Sequence, residues 1–281
     1  MRDIVVRTLR REFRIAAQPE ASLLRYVEAC PVIDGAAVAP QIVNIECHQD
    51  FFRARLPAGR TLEGTLRYVT EHLDYFVESC ARADEADAVI VPAALLVSPD
   101  GRRVLFAGGR KSGKTTLALG LLSAGWTFEG DARVFIGSDG VTAHPRTLRV
   151  PQSLVWRHSW LAHLLEGAPS LAVNGLETFF AVDPRRWGRE WSIAAGKVDA
   201  VFFLENADSV LSAIRRTSSD EAFGRALQLF SSALPLTARY VSLLRSIVAA
   251  PFLFHLELGA LDGAVGGIIE TLQATGLSTS D

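Results

Sequence analysis

The sequence has few of the residues that build disulfide frameworks and metal centres. Its 281 residues include 3 cysteines and 6 histidines, with no C-x-x-C pair and no spacing typical of zinc ligands. Because the number of cysteines is odd, they cannot form a fully paired framework. We expect Cys30, Cys47 and Cys80 to be small core residues in a reducing cytoplasm, and we predict no structural zinc.

Long apolar runs and an excess of charge are also lacking. No stretch reaches the ~18 apolar residues that a membrane span needs, and the arginine-rich segment Met1–Arg14 has no apolar core of a signal peptide. The 29 basic and 31 acidic residues leave a formal net charge of -2. This balance favours neither nucleic acid nor a membrane as a partner. With 49% hydrophobic residues, the composition is that of a globular protein with one large domain or two modest ones.

Residues 1–85 have the patterns of a small α+β unit. We predict a strand at Ile4–Ile15 and a short helix at Glu20–Ala29. Apolar residues alternate with arginines in Phe52–Leu56, which is typical of a half-buried strand. Apolar residues then recur every three or four positions from Leu62 to Cys80, which predicts a helix.

From residue 86 onward the pattern indicates an α/β domain that continues to residue 281. Two apolar strands, Ala88–Val97 and Arg103–Ala107, flank the turn Asp100-Gly101, so we predict a hairpin. A helix at Thr115–Ala124 ends at the C-cap Gly125. Further predictions are strands Trp126–Phe135, Val141–Val150, Val201–Leu204 and Phe252–Leu258, helices Glu221–Phe230 and Leu236–Ala249, a last helix capped by Asp262 and reaching Leu272, and a disordered tail, Ser278–Asp281.

Residues 108–115 read Gly-Gly-Arg-Lys-Ser-Gly-Lys-Thr and fit the Walker A pattern G-x-x-x-x-G-K-[ST]. The glycines let backbone N–H groups face phosphate oxygens, and the helix that follows adds its N-terminal dipole. Lys114 would reach the β and γ oxygens of ATP, and Thr115 would offer its hydroxyl to Mg²⁺. The predicted nucleotide-binding residues are Gly108, Gly109, Arg110, Lys111, Ser112, Gly113, Lys114, Thr115 and Thr116.

A Walker A loop identifies the ligand but not the reaction, for which an acidic group is needed. In a parallel arrangement the strand after the helix returns beside the first strand, which would bring Asp131 near the phosphates. The alternative is that Asp131 is a surface turn residue. Glu129, on the same predicted strand face, and Glu205, after an apolar strand as in a Walker B element, are weaker candidates for the metal.

The order of these features resembles the HPr kinase/phosphorylase family, especially its shorter bacterial members, which include kinases encoded beside lasso-peptide and other modified-peptide precursors. The resemblance covers Asp87–Val150 well. It is carried by the segments Pro92–Ala94, Asp100-Gly101, Gly108–Thr115, Gly125 and Glu129–Val134. It implies a P-loop kinase core like the C-terminal domain of HPr kinase.

Two positions depart from the family pattern. Pro92 stands where the family usually has a histidine, and Ala132 replaces the second acid of an Asp pair. Both departures disfavour the reverse, phosphate-dependent reaction of the bifunctional members. Asp131 matches the acid that the family uses as general base, so forward transfer is still expected.

Phosphoryl transfer also needs cations near the γ-phosphate, besides Lys114. The basic run Asp183–Arg189 offers Arg185 and Arg186 as the best loop candidates, with Arg146 and Arg149 as rivals. The alternative for the run is a basic surface loop.

Three functions are compatible with these features. The favoured one is a cytoplasmic, ATP- and Mg²⁺-dependent kinase whose partner is a peptide or protein with a Ser or Thr acceptor. The alternatives are a small-molecule kinase and a regulatory nucleotide-binding module without transfer activity. We expect no nucleic-acid or membrane partner, and a homo-oligomer is kept as an option.

Overall fold

The computed structural model describes residues 4–18, 22–33, 39–49, 51–173, 176–207, 209–229 and 237–275. The chain divides into two compact units, one of Met1–Ala86 with Pro145–Arg186 and one of Asp87–His144 with Trp187–Asp281. The sequence placed a boundary at residue 86 and assigned everything after it to the second domain, whereas the first compact unit also contains Pro145–Arg186. The predicted disordered tail lies outside the described residues.

Several sheets and helices alternate along the chain, which confirms the predicted mixed α/β class. The strands are β1 (Ile4–Arg7), β2 (Glu12–Gln18), β3 (Val32–Ile33), β4 (Gln41–His48), β5 (Phe51–Arg55), β6 (Thr61–Gly64), β7 (Val89–Val91), β8 (Ala93–Val97), β9 (Arg103–Ala107), β10 (Thr127–Gly130), β11 (Val134–Gly137), β12 (Gly140–Ala143), β13 (Leu148–Pro151), β14 (Ser170–Val173), β15 (Glu177–Val182), β16 (Ser192–Ile193), β17 (Ala200–Asn206), β18 (Ala213–Arg216) and β19 (Phe252–Leu258). The helices are α1 (Leu66–Asp84), α2 (Lys114–Ser123), α3 (Gln152–Arg157), α4 (Ala162–Leu165), α5 (Ser219–Leu229), α6 (Ala238–Ile247) and α7 (Leu261–Ala274). Among the described residues no helix is both long enough and apolar enough to cross a membrane.

The first unit contains a five-stranded sheet in the order β1-β2-β4-β5-β6 and a three-stranded sheet in the order β13-β15-β14. The predicted single strand Ile4–Ile15 is in fact the antiparallel pair β1 and β2. Helix α1 begins after Thr65, whose side chain accepts a hydrogen bond from the Tyr68 amide. This cap explains why Leu62 belongs to β6 and not to the predicted helix.

The second unit is built on a six-stranded sheet in the order β10-β8-β9-β17-β19-β18. Strands β9, β17 and β19 are parallel, and β8 is antiparallel to β9, as the predicted hairpin requires. Apolar residues on the parallel strands pack face to face: Phe202 stacks on Phe106 and Phe254, with ring centroids 5.4 and 4.8 Å away. A second sheet has the order β12-β11-β7.

Three further predicted strands are each divided in the structure. Ala88–Val97 forms β7 and β8, which belong to different sheets. Trp126–Phe135 forms β10 and β11, which belong to different sheets, because Ala132 takes a left-handed φ of 74° between them. Val141–Val150 likewise forms β12 in the second unit and β13 in the first. The last helix begins at Leu261, so Asp262 lies in its first turn, where a carboxylate complements the helix dipole, and is not the cap.

Candidate functional site

The glycine-rich loop lies between β9 and α2, in the strand–loop–helix order that the sequence predicts. Gly113 is the residue before the helix and has a φ of 86°, a conformation that glycine adopts without steric cost. A Cβ atom on Gly108 would lie 2.3 Å from the Ser112 Oγ, and one on Gly113 would lie 2.1 Å from the Leu258 Cδ2. A side chain at Gly108 would therefore displace the Ser112 side chain and one at Gly113 the Leu258 side chain, and the positive φ of Gly113 favours glycine in addition.

Lys114 is folded back into this loop. Its Nζ donates hydrogen bonds to the carbonyl oxygens of Gly108 at 2.9 Å and Gly109 at 2.6 Å, and to the Ser112 Oγ at 3.3 Å. Burial lowers the pKa of Lys114, and the charge of Asp131 opposes this shift. The loop thus holds a desolvated ammonium group, which an anionic ligand would stabilise.

Asp131 and Thr115 come together at the start of α2. The Thr115 hydroxyl donates to the Asp131 Oδ2 at 2.5 Å, and only 6% of the Asp131 surface is exposed. The sequence predicted that the strand after the helix lies beside the strand before the loop. In the structure β10 does not pair with β9, because β8 lies between them. Since both β10 and β9 are antiparallel to β8, they run in the same direction and their carboxyl ends lie at the same edge of the sheet. The alternative of an exposed turn residue is wrong.

Glu129 has a different environment. Both its carboxylate oxygens accept hydrogen bonds from Arg103 at 2.8 Å, and its backbone oxygen accepts one from the Trp191 indole at 3.0 Å. Arg103 also donates to backbone oxygens of Lys197, Val141 and Ala194. Glu129 is therefore paired with a cation that joins β10 to its neighbours, an arrangement that does not suit a metal ligand.

Glu205, the other predicted metal ligand, is the next-to-last residue of β17 and has an exposed side chain. Its carboxylate accepts from Arg225 at 3.3 Å and lies 3.0 Å from the His255 Nε2, and these hydrogen bonds lower its pKa. The adjacent residues contact the loop instead. The Asn206 Nδ2 donates to the Lys111 oxygen at 2.8 Å, and the Leu204 Cβ lies 3.0 Å from a Cβ placed on Gly108.

Sequence reasoning did not identify Asn206. Lys111, whose oxygen it binds, has a φ of 64°, so the Asn206 amide supports a strained turn of the loop. The sequence signal was weak: Asn206 is a second polar residue, after Glu205, at the end of the apolar run Val201–Leu204.

The predicted arginines all lie in the first unit and have partners there. Arg185 forms a two-pronged ion pair with Asp183, with its closest contact at 2.6 Å. Arg186 donates to the backbone oxygens of residues 164 and 166. Arg146 and Arg149 both pair with Asp74, at 2.5 and 2.8 Å.

The two positions that depart from the family pattern also have defined roles in the fold. The Pro92 carbonyl oxygen accepts a hydrogen bond from the Gly108 amide at 3.0 Å, so it supports the start of the loop. Ala132 is the left-handed residue that turns the chain from β10 towards β11.

These residues fit a triphosphate with its magnesium ion. The loop supplies backbone donors and an ammonium group, and the Thr115 hydroxyl, held by the Asp131 carboxylate, supplies an oxygen atom of the kind that Mg²⁺ prefers. The chain matches no protein-family model and no curated protein.

Proposed function

We propose that this chain is a kinase that binds Mg-ATP at Gly108–Thr115 and transfers the γ-phosphoryl group to a Ser or Thr hydroxyl of a peptide or protein. The observation that carries the proposal is the 2.5 Å contact between Thr115 and Asp131 at the end of the glycine-rich loop. It brings a hydroxyl suited to Mg²⁺ and a carboxylate to the position where a terminal phosphate would lie.

Binding is assigned to the loop and the first turn of α2. Backbone N–H groups and the helix dipole hold phosphate oxygens, and the Lys114 ammonium neutralises the β and γ oxygens. Asp131 holds the Thr115 hydroxyl in place. When bound, Mg²⁺ would neutralise charge on the β and γ oxygens.

The transfer step is assigned to Asp131. The acceptor oxygen forms a bond to the γ-phosphorus, the bond from that phosphorus to the β–γ bridging oxygen breaks, and ADP leaves. The acceptor proton passes to the Asp131 carboxylate. Glu129 is the other acid of this segment, and its pairing with Arg103 favours Asp131 as the base.

The kinase core type and the acceptor rest on the family resemblance. The strand order around the loop is compatible with a core of the HPr kinase type, and the resemblance extends to kinases that act on precursor peptides. We assign the protein to the cytoplasm on the same grounds. Arg185 and Arg186 are not assigned a role in transfer, because both have partners within the first unit.

Nucleotide binding without transfer is the second candidate function. Two observations favour it. Ala132 stands where the family has the second acid of its Asp pair, and Glu129 forms an ion pair with Arg103. A module of this kind would bind Mg-ATP and change conformation or partner without consuming it.

An assay with γ-labelled ATP, Mg²⁺ and a pool of Ser- and Thr-containing peptides tests the proposal. We expect label on peptide with release of an equal amount of ADP, and loss of both in Lys114→Ala. Lys197→Ala, which removes an exposed lysine of the second unit, should retain activity. Tight ATP binding without transfer would support the second candidate. Label found only on water or a small metabolite would contradict the peptide-kinase proposal.

A further inference from the structure

The Thr115–Asp131 contact gives the nucleotide site a direction. Asp131 follows β10, which lies on the β8 side of β9 in the sheet order β10-β8-β9-β17-β19-β18. If this contact marks the γ-phosphate end, the opposite end of the nucleotide extends towards β17 and β19. In open α/β sheets, ligands bind beyond the carboxyl ends of the strands. The carboxyl ends of β17 and β19 are at this edge of the sheet.

The carboxyl ends of β17 and β19 contact the glycine-rich loop directly. Asn206 binds the Lys111 oxygen, and Leu258 packs on Gly113, where an added Cβ would lie 2.1 Å from its Cδ2. The Ala207 amide donates to the Leu258 oxygen at 3.1 Å, which joins the ends of the two strands. The carboxyl ends of β17 and β19 therefore lie next to the phosphate loop and next to each other.

The segment Ser209–Ser212 is attached to this surface by hydrogen bonds. The Ala260 amide donates to the Val210 oxygen at 2.8 Å, and the Gly259 amide donates to the Ser212 Oγ at 3.0 Å. A Cβ on Gly259 would lie 2.6 Å from the Val210 oxygen. The close approach of the two backbones fixes the segment next to the end of β19.

Two apolar side chains of this segment face solvent. Val210 and Leu211 are each 79% exposed, although their backbones are held in place. We call these two residues and the half-buried Leu258 the apolar rim: Gly259, next to Leu258, lies against the backbone of Val210 and Leu211. In the sheet order, β19 and β10 lie on opposite sides of β9, so the rim and Asp131 belong to opposite sides of the loop. Exposed apolar side chains on a fixed backbone beside a polar site are typical of ligand binding.

We infer that the apolar rim, Val210, Leu211 and Leu258, binds the nucleobase of the nucleotide whose phosphates the loop holds. The inference rests on the proposed nucleotide site and adds the location of its base. The rim removes the flat, weakly polar base from water, while the loop and Lys114 bind the charged end. The nucleoside part therefore contributes affinity beyond that of the phosphate chain.

Calorimetric titration of the full chain with Mg-ATP and with Mg-tripolyphosphate tests this inference, because tripolyphosphate has the phosphate chain without a base. We expect wild-type protein to bind ATP at least about tenfold more tightly than tripolyphosphate. The double variant Val210→Ser/Leu211→Ser should lose most of this difference and retain its affinity for tripolyphosphate. Leu176→Ser, which removes a 90% exposed apolar side chain from the first unit, is the control and should behave as wild type.

A second variant tests the position of the segment rather than its side chains. Gly259→Ala forces the Val210 backbone to move, so ATP affinity should fall while tripolyphosphate affinity is retained. Equal affinities of wild-type protein for ATP and tripolyphosphate would contradict the assignment of the nucleobase to the apolar rim, and would leave the assignment of the phosphate site standing. Failure to bind either ligand would overturn the nucleotide site and the rim with it.

Discussion

At the scale of single residues, an experiment can distinguish two roles for the Asp131 carboxylate that contacts Thr115: general base and metal ligand. As a general base, Asp131 contributes through the proton it accepts, an effect of about 10²–10⁴ in rate. We therefore expect Asp131→Asn to reduce transfer by about this factor while Mg-ATP affinity changes much less. Steady-state rates and calorimetry on the same samples measure both.

Asp139→Asn, at the exposed turn between β11 and β12, is a control for loss of one carboxylate from the second unit. Parallel loss of Mg-ATP binding and transfer in Asp131→Asn, with the control unchanged, would instead make Asp131 a metal ligand.

Lys114 should oppose folding in the absence of ligand. Burial lowers its pKa in the folded protein below the ordinary value of 10.5, so the unfolded chain binds more protons between the two values. The destabilisation is fully present below the folded-state pKa and is lost as the pH rises towards 10.5. We expect Lys114→Met to unfold at higher denaturant concentration than wild type at neutral pH, and this advantage to shrink in alkaline buffer. A pH-independent difference between the two proteins would contradict this explanation.

At the scale of elements, the hairpin β8–β9, the loop and α2 could be predicted because the required signals are local. An Asp-Gly turn, a glycine-rich pattern and Gly125, which follows the C-cap Ala124 with a left-handed φ of 89°, each specify backbone geometry within a few residues. The path from β10 to β11 could not be predicted, because Ala132 has no intrinsic preference for the left-handed φ that divides the strand. Strand β8, with which β10 pairs, is distant from it in sequence, and the spacing of apolar residues does not indicate which strands will pair.

Glu129 lies in strand β10 and Asp131 is the first residue after that strand, so the Arg103–Glu129 pair should affect the site through the backbone. Removing one partner of a buried ion pair leaves the other charge uncompensated, at a cost of about 3 kcal/mol. We expect Glu129→Gln to lower the free energy of unfolding by about this amount and to reduce transfer, with an unchanged Mg²⁺ concentration for half-maximal rate. Asp87→Asn, which breaks the exposed pair with Arg239, should change little. A large rise in the Mg²⁺ requirement of Glu129→Gln would make Glu129 a ligand after all.

At the scale of the whole molecule, the first unit is assembled from two distant parts of the chain. The sequence predicted a unit of residues 1–85 because hydrophobic patterns describe local elements and do not show which later segment completes a core. In the structure, Pro145–Arg186 belongs to the same unit. Its ion pairs with α1 join the two parts: Asp74 accepts hydrogen bonds from Arg146 at 2.5 Å and from Arg149 at 2.8 Å.

Asp74 should therefore be important for the integrity of the first unit. Arg149 also donates to the backbone carbonyl oxygen of Tyr26, and its Cζ lies 3.7 Å from the centroid of the Tyr26 ring. Its guanidinium is therefore enclosed on several sides. Removing the shared carboxylate leaves two neighbouring cations, and we expect Asp74→Ala to destabilise the unit by about 3 kcal/mol. Hydrogen exchange should accelerate in both α1 and β13, because the lost ion pairs connect them. Glu63→Gln, which breaks the exposed pair with Arg53, is the matched control and should leave exchange unchanged. Acceleration confined to α1 would show that Pro145–Arg186 is stabilised independently of this carboxylate.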